Sequence, residues 1–148
     1  MHRFSMTFLF VAVALSVFVT GCNDEQQAEV AMRRSCLSRL GENYQQFYTE
    51  KKQTPSNIEE FSRFVEANAK TDDKIASELT KRMAEGDLIV FWNATLSADG
   101  SSDRNHVLAF EATCPGNGGY MVTVGGLVDH VTAKEFGTMT EVEHQDPS

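Results

Sequence analysis

One carboxylate stands where apolar residues are expected. Glu111 closes the run Val107-Leu108-Ala109-Phe110-Glu111, in phase with Val107 and Ala109 on a strand of period two. If buried, it must be hydrogen-bonded or neutral. A functional role would be a binding or acid/base carboxylate. A structural role would be to accept N–H groups from the glycine-rich turn at residues 116–119, or to lie at an exposed strand end. The structural role is the expectation.

The other residues with chemical potential are scattered. His106, His130 and His144, with Asp129 and Glu111, could supply a metal site. But Asp129 and His130 are neighbours, and adjacent strand residues face opposite sides, so two solvated edge residues are expected and no metal. Gly116-Asn117-Gly118-Gly119 could cradle an anion. It precedes a strand and lacks a Walker lysine, so it reads as turn chemistry. No serine stands in a G-x-S-x-G setting. Asn93-Ala94-Thr95 matches a glycosylation sequon. No catalytic set and no cofactor motif emerges, so the domain is expected not to be an enzyme.

Three cysteines remain. Cys22 follows an uncharged apolar run, Phe8 to Val19, that begins after His2 and Arg3. This is the layout of a secretory signal peptide. Its apolar core falls short of the roughly 20 residues of a spanning helix. Val19-Thr20-Gly21-Cys22 resembles the lipobox of bacterial lipoproteins. That resemblance implies cleavage before Cys22, acylation of its thiol and of the new N-terminus, and a membrane partner reached through the acyl chains. It places the protein in the cell envelope, facing the extracytoplasmic side. Stable anchoring takes more than one chain, each buried CH2 contributing about 0.8 kcal/mol. Cys36 and Cys114 are then left in an oxidising setting, where a disulfide is the natural hypothesis. It would close a loop of about 78 residues, worth roughly 4–5 kcal/mol in the chain-entropy model. The alternative is two buried free thiols. No C-x-x-C is present, so neither a zinc knuckle nor a thioredoxin-type site is indicated.

Charge narrows the partners. Loss of Arg3 with residues 1–21 takes 13 basic residues to 12 against 21 acidic, or −9 over the remaining 127 residues. An acidic balance excludes nucleic acid, which needs a basic footprint, and disfavours contact of the protein body with anionic lipid.

The elements that must position these residues follow in order. Residues 22–29 read as a polar tether, and a long helix starts near Val30. Cys36, Leu37, Leu40, Tyr44, Phe47 and Tyr48 recur on one stripe. Arg33, Arg34 and Arg39 mostly fall off it. Gly41 beside that stripe points to close approach of a sheet or helix. The helix ends near Lys51-Lys52, and Thr54-Pro55 breaks the pattern. Ser56-Asn57-Ile58-Glu59 reads as a capping box for a second helix. Thr71 reads as the N-cap of a third, which Gly86 closes.

After Gly86 the period changes. Leu88-Ile89-Val90-Phe91-Trp92 predicts a central strand. Ser97 to Asn105 is a loop. Val107 to Ala112, Tyr120 to Val124 and Leu127 to Val131 predict three more strands, the last two joined at Gly125-Gly126. Thr132-Ala133-Lys134-Glu135 opens a short helix holding Phe136, with fraying from Gly137.

These elements predict an α+β fold: a long N-terminal helix and two shorter helices packed on a four-stranded antiparallel sheet. The expected organisation is a signal peptide at 1–21, a tether at 22–29, one domain at 30–137 and a flexible tail at 138–148. The layout resembles the pseudopilin-like envelope proteins of bacteria, a family of largely unassigned function. Leu37-Ser38-Arg39-Leu40-Gly41 through Tyr44 is similar to their N-terminal helix, and Thr54-Pro55 through Phe61 to the proline and helix that follow. Val107 to Glu111, Gly118-Gly119-Tyr120-Met121-Val122 and Leu127-Val128 are similar to their closing hairpin. The resemblance implies a pilin-like fold and either a binding or scaffold module with an envelope protein partner, or an accessory of a pilus or secretion apparatus. The chain departs from pilins in having a lipobox where they carry a prepilin-type cleavage site, and Gly-Gly at residues 125–126 where Asp-Gly is usual.

Overall fold

The computed structural model describes residues 21–94 and 106–143. Residues 1–20, the loop expected at 97–105, Thr95 and His144 lie outside them. The chain falls into two compact units, residues 1–31 and residues 32–148. Among the described residues no helix is long and apolar enough to cross a membrane.

Helix α1 spans Gly21–Lys51. It therefore starts before Val30, and the segment 22–29 expected as a tether is helical. The reason is local. Asp24 to Glu29 contains no glycine or proline, and Asp24 sits in the first turn, where negative charge is favoured. Helix α2, Ile58–Asn68, is capped by Asn57, whose side chain accepts the Glu60 N–H at 2.9 Å. Glu60 in turn accepts the Ser56 N–H and hydroxyl. The capping box is thus shifted one residue from the expected Ser56–Glu59 frame. Helix α3, Lys74–Glu85, is capped by Asp73 rather than Thr71, and Gly86 closes it in the left-handed region at φ 81°.

The sheet is an antiparallel meander in the order β1-β2-β3-β4: Leu88–Val90, Val107–Glu111, Gly119–Thr123 and Val128–Val131. The α+β architecture is the expected one, a long helix with shorter helices on a four-stranded antiparallel sheet, in a pilin-like arrangement. Strand β1 is at the edge, not the centre. Ile89 is 40 % exposed, while Phe91 and Trp92 leave the strand and pack into two different clusters. The apolar run serves two cores; it does not mark a strand buried on both faces.

The main core joins Cys36, Leu37, Leu40 and Tyr44 of α1 to Phe61 and Val65, Leu79 and Met83, and Leu108, Ala109 and Val122 of the sheet. Gly41 is where the helix comes closest. An added Cβ would lie 3.2 Å from a Val122 methyl and 3.6 Å from Gly126 Cα. The expected close approach is met by β3 and its turn. A second cluster gathers Val107, Phe110, Cys114, Met121, Val131 and Phe136. Met121 and Val122 are strand neighbours in different clusters, so the clusters occupy opposite faces of the sheet.

Two further helices follow the strands they serve. The four-residue α4, Cys114–Asn117, lies between β2 and β3. Helix α5, Ala133–Glu143, opens with the expected capping box: Thr132 Oγ accepts the Glu135 N–H, and the Glu135 carboxylate accepts the Thr132 N–H. It continues through Gly137 instead of fraying there. Phe136 is buried against Phe110, ring centroids 4.6 Å apart, and holds the helix to the sheet.

Candidate functional site

Glu111 is buried, at 4 % exposure. A register shift between Val107 and Ala109 puts a bulge in β2. It turns Val107 into the second cluster while Leu108 and Ala109 stay in the main core. The strict alternation expected from sequence is therefore broken, and Glu111 is in phase with Ala109 only.

Arg33 answers this carboxylate from α1. Its Nε and Nη2 donate to the two carboxylate oxygens in a fork. Arg33 stands three and four residues before Cys36 and Leu37, both fully buried, so it belongs on the sheet-facing side of the helix. That spacing was the signal that could have found it. The third partner is the Tyr120 backbone N–H, which donates to Glu111 Oε2 at 2.7 Å. The expected donor from the glycine-rich turn is thus the amide just beyond Gly119. Glycine at 119 makes the contact: a Cβ there would sit 2.8 Å from Glu111 Oε2 and 3.1 Å from Cys114 Sγ.

The electrostatics follow. Burial pushes the Glu111 pKa up, but the Arg33 hydrogen bonds, the Tyr120 N–H and the Arg33 charge together outweigh it. The carboxyl is held below its ordinary 4.5, and hence ionised at neutral pH. This is the opposite of what a general acid near neutral pH requires. The arrangement is a latch that ties α1 to β2 and β3.

No family model, curated protein or solved structure matches this chain. The site is therefore read from its own geometry.

Cys36 and Cys114 are both buried, and the expected disulfide does not join them. Cys36 lies in the main core and Cys114 in the cluster on the opposite face. The Cys114 thiol donates to the Tyr120 carbonyl at 3.5 Å. Burial raises its pKa and the adjacent Glu111 charge adds to the rise, which keeps it protonated and unreactive.

His106 and His130 are exposed, and among the described residues no three metal-ligating side chains come together. Asp129 turns its carboxylate to the His130 N–H at 2.8 Å, covering that donor on the edge strand β4. The turn at residues 116–119 holds α4 and Gly118 at φ 76°. A Cβ on Gly118 would meet the Val131 carbonyl at 2.6 Å, so this glycine serves close packing. A polar hollow of about 340 Å³ at the start of α2 is lined by Ser56, Asn57, Glu60 and Arg63, and the first three are engaged in capping. Cys22 lies in the first turn of α1.

Around the latch is a group that sequence reading did not assemble. Arg33 and Arg34 both stand against the Tyr120 ring, their Cζ atoms 5.5 and 6.0 Å from its centroid. His130 meets the same ring edge-on at 5.0 Å.

Proposed function

We propose that this protein is a lipid-anchored lipoprotein of the bacterial cell envelope, held through acylated Cys22 and acting as a non-catalytic binding or scaffold module for another envelope protein. The observation that carries the reading is the pairing of a lipobox-like Val19-Thr20-Gly21-Cys22 with a domain whose buried carboxylate, Glu111, is consumed by its own fold. Glu111 shares both oxygens with Arg33 and one with the Tyr120 N–H, which favours a structural role over a chemical one. The envelope protein extracted from membranes is tested by intact-mass analysis. The reading expects a chain that begins at Cys22 and carries acyl chains; an unmodified N-terminus elsewhere sinks it.

A second reading, an accessory of a pilus or secretion apparatus, is favoured by the long helix laid on a four-stranded meander. Crosslinking in intact cells followed by mass spectrometry separates the two. Pilus or secretion components among the crosslinked partners support the accessory role, and their consistent absence rejects it.

A further inference from the structure

Two arginines share one aromatic ring, but only one is spent. Arg33 gives its fork to Glu111. Arg34 is exposed and makes no ion pair among the described residues. The half-buried Tyr120 ring holds its guanidinium by cation–π attraction, which leaves the donor edge of the fork open. His130 is the register partner of Tyr120 across β3 and β4, and its exposed ring flanks the same platform. This cationic and aromatic group stands out on a chain with 21 acidic and 13 basic residues. The neighbouring acids are engaged. Glu111 is bound by Arg33 and Tyr120, Asp129 by the His130 N–H, and Glu135 by Thr132.

We propose that the Arg34–Tyr120–His130 face recognises a carboxylate on a peptide or protein partner. Arg34 is the donor fork, Tyr120 its platform and His130 a flanking donor. A guanidinium pairs with carboxylate in a planar, two-bond geometry. The cation–π contact removes part of the rotamer freedom that binding would otherwise cost. Arginine and tyrosine are also the residue types on which protein interfaces concentrate their energy. The net charge of −8 repels an anionic polymer or lipid sheet, which presents many charges at once. One carboxylate on a partner meets that repulsion only weakly. The proposal rests on the binding-module reading and does not depend on the lipid anchor.

The test is an NMR titration of the isotope-labelled full chain in detergent micelles. Three probes are compared: an N-acetylated alanine tripeptide with a free C-terminal carboxylate, its C-terminal amide, and inorganic phosphate. The free carboxylate shifts the Arg34 side-chain N–H and the Tyr120 and His130 ring resonances saturably at millimolar concentration. The amide and phosphate bind at least tenfold more weakly. Arg34→Gln loses the response by at least tenfold with an unchanged backbone fingerprint, and Arg34→Lys restores only part of it. A response equal for carboxylate and amide, no saturation, or phosphate binding as tightly as the tripeptide overturns the proposal. Crosslinks to an envelope partner that fall wholly on other faces would also overturn it while leaving the binding-module reading intact.

Discussion

Glu111 is an anionic side chain in a strand that otherwise packs apolar residues, and its partners decide what it does. Removing one partner of a largely buried pair leaves the other charge without compensation, which costs more than the pair itself contributes. Glu111→Gln removes the charge that faces the Arg33 fork, and the Arg33 side chain, 28 % exposed, is partly relieved by water. The expected loss is about 2–3 kcal/mol, read by denaturant unfolding at pH 7. The pH dependence has a definite sign. The folded-state pKa of Glu111 lies below its ordinary 4.5. Its stabilisation is therefore fully present above about 4.5 and lost as pH falls through the lower folded value. Wild type and Glu111→Gln should converge in stability below that range. A gap that stays constant down to pH 3 would show that the carboxylate's charge is not what holds α1 to the sheet. The residue itself was visible in the sequence, and so was the glycine-rich turn supplying an amide. Arg33 was not. It lies 78 residues away, and only the sheet-facing stripe of α1 brings it within reach. The disulfide was misread for a related reason: spacing cannot tell which face of a sheet a cysteine occupies, and Cys36 and Cys114 lie on opposite faces.

At the scale of elements, two glycines of α1 and α5 behave differently because their surroundings differ. Gly41 abuts the Val122 methyl and the Gly126 backbone. Gly41→Leu must push the helix off the sheet and should lose about 1–3 kcal/mol by thermal or denaturant unfolding. Gly137 has nothing within 4 Å of an added Cβ, and Gly137→Ala should stabilise by roughly 0.5–1 kcal/mol. A stabilised Gly41→Leu would refute the close packing of α1 on β3. The elements were largely legible because the apolar period changes from helical to strand-like after Gly86. Edge status was not, because Leu88, Val90 and Trp92 pack into the main core and Phe91 into the second cluster, so an edge segment reads as one continuous apolar run. The start of α1 was hidden by polarity. Residues 22–29 read as a tether, yet Glu25 to Glu29 are good helix formers and no glycine or proline between 22 and 29 breaks a helix.

For the whole molecule, the contact pattern and the anchor make separate claims. Residues 32–148 hold both hydrophobic clusters and the latch. A chain that begins at Met32 should fold cooperatively, with a melting temperature within a few degrees of the full chain; a molten chain would mean that residues 1–31 are part of the folding unit. Anchoring, by contrast, is assigned to Cys22, before that unit. The central claim is thus carried by one thiol. Metabolic labelling with a tagged fatty acid, comparing wild type with Cys22→Ala, tests it most directly. The account predicts a labelled wild type and an unlabelled variant; equal labelling of the two would contradict it.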